Sequence, residues 1–498
     1  MHRQFCSTTV SVMLCGALAS CAVSDDTLSE PGSSASALTG AVKPTQLRVV
    51  HASATSAAFD IYIGTSATPT FTNVAFGAAT TYLAVPAGAT QLAFRAAGAD
   101  ASAPPLFTTD ITVDQGETVT AVAAGLLGST LETSRFRVQS FVEQFGAAFR
   151  REARLRFVQA SHGLPAAGFD VNDDGAIEIN DLPAFAASDA AGIRVQRTSL
   201  GLQLAIASGT PATRSTAFTV PASFTFGGDG AFVVLAGLPS VQPREPRGLA
   251  LIVVGHTETV VVKQNPTVFV LPVIPDQATV NIAAGNNRFV AAPIATGAAF
   301  ASLTSIQVAP SDRGLALVIS APEACGEPIA VARTGALLAG ERYLAVASGF
   351  ASGSANDPAR PAVQVQVLTE GFTAPLSGPG YLRAVAASPG APLLDVGRFP
   401  PGATSAFVQL AGLAGLAYGT ASAPAGVQAP ATPLNPGVRP TGTTSALRFS
   451  FSALTTTERA FGVVAGAWAP ATGEVGPRFV VVKTPASGAW TAQALSPL

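Results

Sequence analysis

Disulfide bonds are the first thing this chain does without. Its 498 residues include four cysteines, Cys6, Cys15, Cys21 and Cys325. The first three fall in a leader and its attachment point, so Cys325 is left without a partner. Stability must then come from apolar cores. Charge is scarce as well. Lys and Arg number 28 against 30 Asp and Glu, 12% of the chain, and the formal net charge is −2. No basic patch or arginine-rich run occurs, which excludes nucleic acid as an expected partner. Catalytic signatures are missing too: there is no G-x-S-x-G elbow, H-E-x-x-H pair or G-x-G-x-x-G phosphate cradle. No segment sustains the i, i+3, i+4 apolar pattern of a helix over three turns. The longest uncharged stretch, Phe399 to Val438, is broken by Pro, Gly, Thr and Ser and reads as short strands and turns rather than a membrane span.

What is present is repetition. The block GETVTAVAAG ending at Gly125 returns as GDGAFVVLAG at Gly237, GERYLAVASG at Gly349 and TERAFGVVAG at Gly466, spaced 112, 112 and 117 residues apart. That period suits a complete small domain. An opening block recurs too: LRVVHAS at Leu47, LRFVQAS at Leu155 and LRAVAAS at Leu382, with VFVLPVI at Val268 in the divergent third unit. Asp60, Asp170 and Asp395 follow at 13, 15 and 13 residues, and Asn281 takes that place in the third unit. The boundaries expected are a leader over 1–20, a flexible tether over 21–46, and units 1 to 4 over 47–146, 155–265, 266–374 and 381–485. At about 100 residues, each unit is expected to fold alone.

The leader MHRQFCSTTVSVMLCGALASC has a positive start, an apolar run too short for a stable span, and small residues before Cys21. Leu18 to Cys21 matches the bacterial lipobox, so Cys21 is the expected lipidation site and the acyl chains the membrane anchor. Ala22 after the cysteine follows the sorting pattern of outer-membrane lipoproteins. The polar, Pro- and Gly-dotted stretch after it reads as the tether.

Within the units, FDIYI, TQLAF and VQVQV alternate as half-buried strands do, and turns recur every 8 to 15 residues. The expected fold is all-β: four tandem immunoglobulin-like antiparallel β-sandwich domains. A transmembrane β-barrel is the alternative, but it needs strands of roughly 9–11 residues and aromatic girdles, and aromatics are 7% of this chain.

The segments LRVVHASATSAAFDIYIG, FTNVAFGAATTYLAVPAGATQLAFRAAG and GETVTAVAAG resemble the bacterial family known as domain of unknown function 4397. Unit 1 carries the pattern nearly whole, from Leu47 to about Gly125. Units 2 and 4 keep its opening and close, and unit 3 mainly its second half. The resemblance implies exported β-domains, often in tandem, and no known activity. His51 of the opening is Gln159 in unit 2 and Ala386 in unit 4, which argues against an obligatory catalytic histidine.

The best chemical candidate is DVNDDGAIEIND at Asp170 to Asp181. It resembles a calcium loop, with oxygens at Asp170, Asn172, Asp174, the carbonyl of Ala176, Glu178 and Asp181, and Gly175 at the sharp turn. The repeat register lays the same residues over a strand-turn-strand of unit 1, which makes Asn-Asp-Asp-Gly turn chemistry, and Pro183 stands where a following helix would begin. The hairpin is the expected structure and calcium the weaker alternative; no other cofactor is expected. His51, His162 and His256 are scattered, whereas metal sites need convergent ligands. The recurrent acids Glu117, Asp229, Glu341 and Glu458 read as turn residues, and Cys325 as a stray thiol.

The expected function is a non-enzymatic, lipid-anchored cell-envelope protein that serves as spacer, scaffold or adhesion module, with the membrane as partner and a surface polysaccharide or envelope protein as further candidates. The rivals are a carbohydrate- or ligand-binding surface lipoprotein, using loops at one end of a sandwich, and an exported hydrolase with a divergent site.

Overall fold

A strand that alternates in polarity buries one face, and a strand apolar at every position buries two. Strands buried on one face and strands buried on both occur along the chain, and their placement sets the architecture of the computed structural model. It describes residues 43–100, 102–149, 152–196, 201–208, 213–224, 230–285, 291–322, 328–372, 380–400, 406–429, 435–449 and 458–498. The leader, Cys21, Ala22, most of the tether, Asp229 and Cys325 lie outside these residues. The described residues form 35 strands and no helix, so none of them forms a helix long and apolar enough to cross a membrane.

Unit 1 is built from β1 (Gln46–His51), β2 (Phe59–Ile63), β3 (Phe71–Val74), β4 (Leu83–Ala84), β5 (Gly88–Ala96), β6 (Phe107–Val113), β7 (Thr118–Ala124) and β8 (Arg137–Val142). They form two sheets, β4-β1-β7-β8 and β3-β2-β5-β6. Leu47, Val49, Phe59, Ile61, Phe94 and Val113 pack between them. In β5 burial alternates as the sequence pattern predicts: Thr90, Leu92 and Phe94 point inward. Units 2, 3 and 4 repeat the plan, each with a first sheet around its opening and closing strands and a second four-stranded sheet facing it. The all-β sandwich architecture is therefore as expected.

One pair in each first sheet is parallel rather than antiparallel. β1 runs alongside β7, Glu152–Gln159 alongside Gly230–Ala236, Thr267–Val273 alongside Arg342–Ser348, and Tyr381–Ala386 alongside Arg459–Ala465. The cause is connectivity. Between its opening and closing strands the chain crosses to the second sheet twice, laying an antiparallel edge strand such as β4 beside the opening strand in between, and it re-enters as the closing strand in the same direction as the first.

The closing strands differ from β5 in having no exposed side. Every residue of β7 is buried, as is every residue of Arg342–Ser348 and of Arg459–Ala465. In β7, Val119, Ala121 and Ala123 face the core of unit 1. Val122 and Ala124 join Val50 and Ala52 against Val158, Phe232, Val234 and Ala236 of unit 2. The first sheets of units 1 and 2 thus pack back to back. Units 3 and 4 do the same, through Leu271, Val273 and Val346 on one side and Val385, Phe461 and Val463 on the other. The array is two pairs. The expectation that a unit folds alone changes accordingly, because each first sheet has an apolar rear face that only its neighbour covers.

Candidate functional site

The two sequence anchors of the repeat touch. The serine that closes the opening block donates its hydroxyl hydrogen to the carbonyl of the closing glycine: Ser53 to Gly125 at 2.5 Å, Ser161 to Gly237 at 2.8 Å and Ser388 to Gly466 at 2.6 Å. Unit 3 has the buried Ile274 in the serine's place. The glycine is required twice over. Its φ is 93° at Gly125 and Gly237, 115° at Gly349 and 79° at Gly466. A Cβ at these positions would also drive into the carbonyl oxygens of Arg135, Gly248, Ala362 and Gly476.

His51 does local work. It is buried and stacks on Phe59 at 4.6 Å between centroids. Its Nδ1 accepts from the Ser53 N–H at 3.2 Å, so Nε2 carries the proton and donates to the Ala57 carbonyl at 3.1 Å. Gln159 holds the matching loop of unit 2: its Oε1 accepts from the Ser161 N–H at 2.7 Å and its Nε2 donates to the Leu164 carbonyl at 2.6 Å. A glutamine can replace the histidine because both present one acceptor and one donor. Burial holds the His51 pKa below its ordinary 6.5, and the hydrogen bond to Ala57 offsets only part of this. The folded state therefore binds this proton less readily than the unfolded chain. The stability His51 contributes is whole above pH 6.5 and is lost as pH falls from there toward the lowered folded value. His51→Gln should flatten the fall in Tm over that window and leave the melt near pH 8 unchanged. Parallel slopes for the two proteins would refute the assignment.

The acid after each opening block ties its strand to neighbouring backbone. Asp60 in β2 accepts from Asn73 N–H and Gly98 N–H, both at 2.8 Å. Asn281 accepts from Gly297 N–H at 2.9 Å. Asp395 accepts from Gly415 N–H at 3.1 Å, the Thr441 hydroxyl at 2.7 Å and Arg439 Nε at 3.3 Å. Burial pushes the Asp395 pKa up, but these hydrogen bonds outweigh it and hold it below the usual carboxylate value.

The calcium candidate lies on the equivalent hairpin of unit 2, between Ala166–Val171 and Ile179–Pro183, which pair antiparallel. Asp170 is fully buried and accepts from Asp174 N–H at 3.1 Å and Gly175 N–H at 2.9 Å. Asp174 accepts from Ala176 N–H at 2.9 Å, and Glu178 from Val171 N–H at 2.7 Å. Asn172 and Asp181 stand at φ of 78° and 47°. Three of the five side chains thus already serve backbone donors. Among the described residues no cluster of three or more His, Cys, Asp or Glu could hold a metal ion.

The recurrent turn acids use their backbone. The carbonyls of Glu117, Glu341 and Glu458 accept from the N–H groups of Gln46, Thr267 and Tyr381 as the first strand begins. His162 is half-buried, which lowers its pKa, and His256 packs beside Tyr82 at 5.2 Å.

Sequence reasoning missed the arginines. Three opening blocks read Leu-Arg, a charge inside an otherwise apolar strand, and that was the available signal. Arg48 of unit 1 is buried and crosses to unit 2, donating from Nη1 to the Gly255 carbonyl at 2.5 Å. Arg156 of unit 2 crosses back, donating to the Val142 carbonyl at 2.8 Å. Val142 pairs with Val119, six residues before Gly125. Gly255 follows Val254, which pairs with Phe232, so it stands opposite Ala231, six before Gly237. The two contacts are therefore the same contact made in both directions, as in a two-fold interface. Arg383 of unit 4 repeats it on the Thr369 carbonyl of unit 3 at 2.6 Å. In unit 3 the arginine's place holds Phe269, stacked on Trp490 of unit 4 at 4.1 Å and 4°. The guanidinium is supplied instead by Arg342, which donates to the Pro485 carbonyl at 2.8 Å. Arg48 pairs with Glu143 at 3.1 Å and Arg342 with Glu370 at 2.8 Å, so the buried charges are compensated.

The polar residues that recur from unit to unit are thus engaged in joining strands and units. No curated protein matches the chain. Residues 45–170, which hold unit 1 and the start of unit 2, match the family described as Domain of unknown function (DUF4397).

Proposed function

We propose that this protein is a lipid-anchored, non-catalytic scaffold or spacer of the bacterial cell envelope, tethered through Cys21 and directed to the outer membrane by the residue that follows. One observation supports a scaffold most: the units meet through buried faces and crossed arginines. Even the passage from unit 2 to unit 3 is pinned. Asn265 N–H donates to the Ala217 carbonyl at 2.8 Å, and Gln307 of unit 3 donates to the Asn265 carbonyl at 3.1 Å. Domains fixed in this way transmit a position instead of sampling many. The anchor rests on the lipobox alone. Cys21→Ala should move the protein from the membrane to the soluble fraction, because acyl chains supply the holding energy. Retention of the variant on membranes after detergent-free washing would count against the anchor.

A further inference from the structure

Units 2, 3 and 4 surround a cavity of about 470 Å³. Its walls are fixed before any ligand arrives. On one side Gln307 of unit 3 accepts from the Ala217 N–H of unit 2 at 2.7 Å. On the other, Glu370 of unit 3 takes two hydrogen bonds from Arg342, at 2.8 and 2.9 Å, and a third from Gln242 of unit 2 at 2.8 Å. Arg342 in turn holds Pro485 of unit 4, next to the segment Ala486 to Ala489 that closes the third wall. Preformed clefts between domains are where small ligands bind most often, and this volume lies within their usual range.

The lining selects a chemical class. Leu164, Ile206, Val241 and Phe269 give an apolar surface. Gln264 and Glu341 line the same cavity, and neither side chain has a hydrogen-bond partner among the described residues. Ser305 and Ser487, both exposed, line it as well. Arg342 also lines it, but each of its nitrogens is engaged. Glu341 is therefore the one uncompensated charge among these groups. Such a surface repels anions, offers an acceptor to hydroxyl donors, and gives an apolar face to a ring.

We propose that this cleft binds a short neutral saccharide, its ring lying on the apolar wall and its hydroxyls donating to Glu341 and pairing with the Gln264 amide. The reading adds a ligand to the scaffold and does not depend on the lipid anchor.

The test is calorimetric titration of the full chain with maltose and with N,N'-diacetylchitobiose, and with spermidine as a cationic probe. Tryptophan emission is followed in parallel, since Trp490, one of the two tryptophans, stacks on Phe269 of the lining. At least one sugar should bind saturably with a Kd of about 1 mM or tighter. Glu341→Gln should weaken it about tenfold, and Ser305→Phe, which fills the mouth, should abolish it without lowering Tm. Gln264→Ala gives a second route should the phenylalanine variant misfold, and should weaken binding likewise. No response to either sugar up to about 10 mM, binding that survives all three substitutions, or binding of spermidine alone would overturn the proposal.

Discussion

Residues 43–146 expressed alone should not stay monomeric, whereas residues 43–265 should remain soluble and melt as one body. Excision bares Val50, Ala52, Val122 and Ala124, with Phe141 packed beside them. Each large apolar side chain returned to water costs roughly 1.5–3 kcal/mol. Arg48 also loses the Gly255 carbonyl. The interface is two-fold in character, so the excised unit carries both halves of the contact: Arg48 at the place of Arg156, and Val142 at the place of Gly255. The expected product is a homodimer built on the same face, or an aggregate where pairing fails. Sedimentation would decide. A stable monomer with the melting temperature of the two-unit fragment would mean that the back-to-back packing contributes little.

A comparable loss is expected from Gly125→Ala, a change of one methyl group. The residue sits at φ 93°, where a side chain is strained by about 1–3 kcal/mol. The Arg135 carbonyl occupies the space the methyl needs. Moving that carbonyl disturbs the start of β8 and the bond from Ser53. The combined cost should be about 2–4 kcal/mol, read as a lower denaturation midpoint. Gly64 provides the control. It has positive φ with open space around it, so Gly64→Ala should show the strain without the collision and cost less.

Much of the fold was legible because its signals are local. The alternation in TQLAF marks β5 as one-sided. The two anchors recur together because Ser53 and Gly125 are bonded to each other. The acid thirteen residues after Leu47 was visible as a spacing, but its role depends on Asn73 and Gly98, which only folding brings to it. The pairing of units was hidden for the same reason. An arginine inside an apolar strand signals a buried charge, yet the carbonyl it finds belongs to another unit, 207 residues on in the case of Arg48. Phe269 in unit 3 looked like divergence. It is an exchange, in which an aromatic stack on Trp490 replaces an arginine and Arg342 supplies the charge from the next strand.

The pairing itself is tested most directly by hydrogen exchange, read by mass spectrometry on the intact chain carrying Gly125→Ala. The substitution lies in unit 1, and its neighbours in sequence are β7 and β8. Because β7 and the strand Gly230–Ala236 share one buried layer, weakening unit 1 should raise exchange in both, while Arg342–Ser348 and Arg459–Ala465 keep their rates. Faster exchange confined to residues 46–142 would contradict the account, since units 1 and 2 would then open independently.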